Sequence, residues 1–345
     1  MRFLAVVFCI VLLSLPAAAL ELEAPAVPEP GREWMPSSTD SFSIGLAELM
    51  KKALGALRPD LQEACRISLG IFAAVLMVSV LQSCSAPIRR VSETAAIAAS
   101  ASLLLMNANS MIRLASDTIL EMAEYGKLLL PVMTAALAAQ GSITTSGAIY
   151  AGTAMFHALL QNAMGSVLVP GIYLYLALRT GSGATGEDLL KQMADLLKNG
   201  MGWVLKILLM VFTTYLRLPR VISVTTDAAA LKAAKVTMSS FIPVVGGILS
   251  DASEAVLLRA GLMKNAAGIY AILAVLALFV HPFLRLGVHY LILKFTAALC
   301  GIFGGKQICS VLDGFSTALG LLLGMTAAQC MMLLISTGWF MKGVG

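Results

Sequence analysis

Charge is what this 345-residue chain has least of. Asp, Glu, Lys and Arg together make up 12% of it, where soluble globular proteins carry roughly 25%. Its mean hydropathy is +0.87. A water-soluble fold of this size could not hide so much apolar surface and still cover itself with polar groups. Alternating ten-residue strand patterns are missing too, which removes an outer-membrane barrel. What remains is an all-α, polytopic helical bundle in lipid, where each helix satisfies its own backbone groups.

Other scarcities narrow the function. Cys9, Cys65, Cys84, Cys300, Cys309 and Cys330 form no C-x-x-C pair, so they read as buried, inert thiols rather than a disulfide or metal framework. The net charge of +5 comes without a dense basic cluster, which argues against nucleic acid as a partner. The string Gly301 to Lys306 lacks the first glycine of a phosphate loop, because Cys300 holds that place, and Gln307 stands where Ser or Thr would bind magnesium. His157, His281 and His289 are scattered and read as packing or interfacial residues. With no clustered acid, base or nucleophile, the chain is expected to be no enzyme and to hold no cofactor and no metal.

Long apolar runs are what it does have. Residues 1–19 look like a secretory signal peptide, with Arg2, an apolar stretch from Phe3 to Leu15 and a cleavage site at Ala17-Ala18-Ala19; an uncleaved first helix is the alternative. Residues 20–66 then form an extracytoplasmic leader, proline-rich and acidic at first. Within it an amphipathic helix runs from Ile44 to Leu57, with Leu46, Met50, Leu54 and Leu57 on one face, lying on the membrane or on a partner.

A multi-span membrane domain covers 67–341. Candidate spans are 67–86, 94–112, 126–140, 147–178, 201–216, 265–280, 284–303 and 315–341, eight in all, with seven and nine as the alternatives. The fourth carries Pro170-Gly171 and is expected to bend there. Counting it as one crossing places Arg89, Arg90, Arg217, Arg220, Lys232, Lys235, Arg259, Lys264 and Lys306 inside. They outnumber the outside set of Arg113, Lys127, Arg179, Lys191, Lys198, Arg285 and Lys342, which favours both chain ends outside. After Gly181-Ser182-Gly183, a capping pattern at Thr185 and Asp188 opens a short amphipathic helix over 187–198, read as interfacial.

Between the fifth and sixth spans lies an unusual apolar segment. Phe241-Ile242-Pro243-Val244-Val245-Gly246-Gly247-Ile248-Leu249 is too short to span and is interrupted by proline and two glycines; Ser250-Asp251-Ala252-Ser253-Glu254 follows. This reads as a broken or re-entrant segment near 239–250, covered by protein or bordering a watery cavity. Phe241, Pro243, Gly246, Gly247, Ser250, Asp251 and Glu254 are the candidate pathway residues. Lys294 joins them, because it sits midway through an apolar run where a charge costs at least ~2.5 kcal/mol. Pairing with Asp251, Glu254 or Asp313 is its structural reading; a place on a transport path is its functional one. Gly320 and Gly324 form a small face suited to close helix packing.

The same central segment carries a resemblance. Thr225-Thr226-Asp227-Ala228-Ala229-Ala230-Leu231-Lys232, Ser240-Phe241-Ile242-Pro243-Val244-Val245-Gly246-Gly247, Leu249-Ser250-Asp251-Ala252 and Leu262-Met263-Lys264-Asn265-Ala266-Ala267-Gly268-Ile269 resemble the stage III sporulation protein AE family. The signal, the acidic leader and the succession of spans agree with it. The resemblance implies a multi-pass protein of the mother-cell membrane around the forespore, in a channel-like complex joining the two cells. Its implied partners are the other stage III sporulation A operon proteins, including a separate ATPase and ring-forming subunits, and the forespore protein Q. The implied function is a non-enzymatic, permease-like component of that complex, required for endospore formation. A stand-alone secondary transporter and a purely structural scaffold for ring proteins are the alternatives.

Overall fold

The computed structural model describes residues 25–37, 39, 41–81, 86–139, 143–217, 266–302 and 306–342. The signal peptide and the interrupted segment near 239–250 lie outside the described residues, so of the candidate pathway residues only Lys294 is placed.

The described chain is helical throughout, without a strand. A short turn, α1 (Glu29–Arg32), precedes α2 (Phe42–Leu81) and α3 (Ala86–Ala139). Next, α4 (Ile143–Ala163) passes through a π-turn (Met164–Leu168) into α5 (Val169–Thr185). Then come α6 (Asp188–Arg217), α7 (Ala266–Ile302) and α8 (Lys306–Lys342). Among the described residues, six helices are long and apolar enough to cross a membrane, α4 and α5 counting as one.

The eight sequence segments fall on those six helices. The described residues of segments 94–112 and 126–140 both lie on α3, and those of 265–280 and 284–303 both lie on α7. The charges between the first pair (Arg113, Asp117, Glu121, Glu124, Lys127) look like a loop when hydropathy is averaged. They recur every three or four residues, so they share one side of an unbroken helix, and four of the five are exposed. Pro282, between the second pair, is carried inside α7. Segment 147–178 runs on without a break in the chain direction. The π-turn stands just before Pro170, whose missing amide and ring exclude a regular α-turn.

Two further stretches join spans rather than standing apart. Of the 187–198 stretch, all but Glu187 opens the 30-residue helix α6, and the leader's amphipathic stretch lies in the first half of the 40-residue α2. The turn between α5 and α6 is made by Gly186, at φ 75°, whose amide reaches the Ser182 carbonyl at 2.8 Å. A side chain at that φ would be strained. The Thr185 hydroxyl accepts from the Glu187 amide at 3.3 Å.

The bundle is organised around α8. Some 94% of its apolar window is covered by the rest of the chain, with α7 antiparallel beside it. Where α5 meets α8, a Cβ on Gly183 would stand 2.2 Å from Val311 Cγ2, and one on Gly314 would stand 2.9 Å from Arg179. Only glycine permits those approaches. Between helices in lipid, close packing of this kind replaces the hydrophobic driving force available in water.

The described residues form two cores. The larger gathers Leu104, Met111, Phe156, Ile172, Leu205, Leu293, Phe315 and Leu322. The smaller gathers Val27, Leu49, Ala53, Tyr125, Met133, Ala274 and Leu333. It is strapped by residues 25–37: Ser37 bonds Glu48 through both its amide and its hydroxyl, and Lys52 donates to the Met35 carbonyl at 2.8 Å. On α2 the buried face is Leu49 and Ala53, whereas Leu54 is 54% exposed. Of the face expected from sequence, Leu46, Met50 and Leu57 are half-buried, Met50 against this core, and Leu54 alone is exposed.

Candidate functional site

Among the described residues, three polar clusters interrupt this apolar interior. The first is a ladder on α7. His281, Arg285 and His289 recur every four residues and so lie along one side of the helix. Asp60 of α2 faces them, 7% exposed: its Oδ1 is 3.0 Å from Arg285 Nε and its Oδ2 is 3.7 Å from His281 Nε2. Arg285 Nη2 also reaches Glu63 Oε2 at 3.4 Å. One rung further, Asn107 Nδ2 of α3 lies 3.3 Å from His289 Nδ1, and His289 is 2% exposed. Trp34 of the strap stacks on His281, the ring centroids 4.3 Å apart and the planes at 12°. Burying Asp60 or Arg285 alone would leave an uncompensated charge; together they are tolerable.

The second cluster holds Lys294. Its ammonium pairs with Asp313 Oδ1, and Asp313 Oδ2 is 3.8 Å from Arg179 Nη2. Arg179, 5% exposed, also donates to the Ser310 carbonyl at 3.1 Å. One carboxylate thus ties α5, α7 and α8 together near the ends where α5 and α7 finish and α8 begins. Lys294 itself is about half exposed. Asp251 and Glu254, its other candidate partners, lie outside the described residues.

The third cluster is fully enclosed between α4 and α8. His157 Nδ1 is 3.5 Å from Gln329 Nε2 and His157 Nε2 is 3.5 Å from Ser336 Oγ. Ser336 gives its hydroxyl hydrogen to the Met332 carbonyl at 2.6 Å, so the serine is occupied rather than activated as a nucleophile would be.

Among the described residues no three His, Cys, Asp or Glu side chains converge as metal ligands would. Cys65, Cys300, Cys309 and Cys330 are free thiols. The ladder is the feature that sequence reasoning missed. Its signal was available as the four-residue spacing of His281, Arg285 and His289, but Asp60 comes from the far end of the chain and only the fold supplies it.

Fold and clusters together define an all-α, multi-pass membrane protein with paired ionisable groups in its interior. The family described as Stage III sporulation protein AE matches residues 33–341, and the chain belongs to it. The chain is similar to Stage III sporulation protein AE of Bacillus subtilis (strain 168), 28% identical over 244 residues, which are 68% of this chain and 59% of that protein. The chain thus aligns with about three fifths of that relative's length. No solved structure matches it.

Proposed function

We propose that this sporulation protein is a non-enzymatic, permease-like membrane subunit of the complex joining mother cell and forespore, sited in the mother-cell membrane around the forespore. Its partners are the other stage III A proteins, with a separate ATPase supplying energy, and the forespore protein Q. The observation that carries this reading is the ladder of Asp60, Glu63, His281, Arg285 and His289 inside a bundle otherwise poor in charge. Ionisable groups buried inside such a bundle are costly to desolvate, and they are candidates for a polar route or relay. The interrupted segment at Pro243, Gly246 and Gly247 is the second element of the proposed route, with Ser250 opening the following helix toward it.

Deleting the gene in its spore-forming host tests the role: heat-resistant spores should be lost and restored by the intact copy. Normal spore counts would refute it. Gly246→Leu with Gly247→Leu should abolish function at normal protein levels if the interruption is part of the route.

The same ladder favours a second reading, a stand-alone secondary transporter using these groups as a relay. Uptake by the purified protein alone in liposomes would select it.

A further inference from the structure

The outer side of the first half of α2 carries a sharper message than exposure alone. Ile44, Ala47, Lys51, Leu54, Arg58 and Leu61 follow one another at spacings of three, four, three, four and three residues. That alternation sets them in a seam along one side of the helix, in the register in which a second helix would pack, with two cations among the apolar positions. All six are exposed, Ile44 at 59%, Leu54 at 54% and Leu61 at 48%. Neither Lys51 nor Arg58 has an ion-pair partner among the described residues, whereas neighbouring Lys52 is held by Glu48 at 3.3 Å. A shallow hollow lined by Ser43, Ile44, Ala47, Glu48 and Lys51 opens at the outer end of the seam.

We propose that this seam docks an acidic amphipathic helix of another protein, outside the bilayer. A 40-residue helix is ~60 Å long, about twice the ~30 Å hydrocarbon thickness. Its charge-poor part is 64–81, while Glu48, Lys51, Lys52, Arg58, Asp60 and Glu63 occupy the part before it. The seam therefore continues the direction of the span and stands away from the membrane. That continuity disfavours a basic amphipathic helix lying flat on anionic lipid, which the vesicles below test. A second copy is disfavoured for a different reason. Copies in one membrane stand parallel, which sets Lys51 against Lys51 and Arg58 against Arg58 at the same seam position, where like charges repel. A helix with apolar residues at the matching spacing and Asp or Glu opposite Lys51 and Arg58 satisfies both the apolar positions and the free cations.

The inference deepens the proposed function by naming the chemistry of a partner, and rests on it only for where that partner is found. The test needs no host cell, so its failure is separable from failure of the sporulation role. Full-length protein in neutral-lipid nanodiscs is titrated with a fluorescent helical peptide bearing Leu at the seam spacing and Glu at the facing positions. The same peptide with Lys for Glu, and anionic vesicles, serve as the other probes. The Glu peptide should bind roughly tenfold tighter than the Lys peptide, and Lys51→Glu with Arg58→Glu should invert that order at an unchanged thermal midpoint. Equal binding of both peptides, no effect of the double exchange, or capture by vesicles abolished by the exchange would overturn it. So would a protein dimer that the exchange dissolves.

Discussion

α8 and α6 are both apolar enough to cross a membrane, yet 94% of one apolar window is buried inside the protein and 22% of the other. The difference lies in what each helix offers its neighbours. α8 presents small or hydrogen-bonding residues all round, among them Gly314, Gly320, Thr326, Gln329 and Ser336, so helices can close on every side. α6 has a single seam of Ala194, Met201, Leu205, Leu209 and Phe212 buried, while Trp203, Ile207, Met210 and Val211 point outward. Hydropathy reports that a helix is dissolved in something apolar. Whether that is lipid or protein is written in side-chain size.

The comparison breaks most visibly where burial includes charge. Replacing Asp60 by Ala leaves Arg285 only the half-exposed Glu63 at 3.4 Å, and the cost should be ~3 kcal/mol, the low end for a broken buried pair. Thermal unfolding in detergent and the level of protein in membranes would both show it. Arg285→Leu added to Asp60→Leu should recover much of the loss, because the one charge then left without its partner is Glu63, which is half exposed to begin with. On α8 itself, Leu322→Ala removes a side chain that is 1% exposed and should cost ~2–5 kcal/mol. Gly314→Ala comes next: its methyl would press Arg179 at 2.9 Å, and the expected loss is ~1–3 kcal/mol. A thermal midpoint equal to wild type for Gly314→Ala would mean that Arg179 has room to move and that α8 is less tightly held than its burial implies.

Much of this was legible before the fold. The all-α membrane class, a departure from regular α-helix beside Pro170 (a π-turn where a bend was expected) and the turn before Asp188 followed from composition, proline and capping chemistry. The junctions at 113–127 and near Pro282 did not, because averaging over apolar runs treats any charged interval as a loop. Side-chain period would have kept α3 whole, since Arg113, Asp117, Glu121, Glu124 and Lys127 recur at helical spacing. Lys294 was visible as an isolated cation, and Asp313 was among its candidate partners; Arg179 on the same carboxylate was not, because α5 and α8 approach through Gly183 and Gly314 and nothing local to either glycine announces it. His281 looked solitary for the same reason: Trp34 and Asp60 reach it through tertiary structure.

The outward side of α6 is where substitutions should cost least. Ile207 and Met210 on α6 are 43% and 66% exposed in the chain. If lipid is what covers them, Ile207→Ala and Met210→Ala exchange one apolar surface for another, and each should stay within about 0.5 kcal/mol of wild type. The same reduction in size at Leu322 is expected to cost several times more, although both positions sit on helices apolar enough to span. Thermal midpoints of the three variants in one detergent would decide it. A loss at Ile207 comparable to that at Leu322 would mean that protein covers this face of α6, so that the contrast between the two helices belongs to the isolated chain alone. An Ile207→Lys variant then separates the possibilities by sign of environment, since a lysine facing hydrocarbon costs at least ~2.5 kcal/mol on insertion. Leu54→Lys, on the outer half of α2, should insert normally.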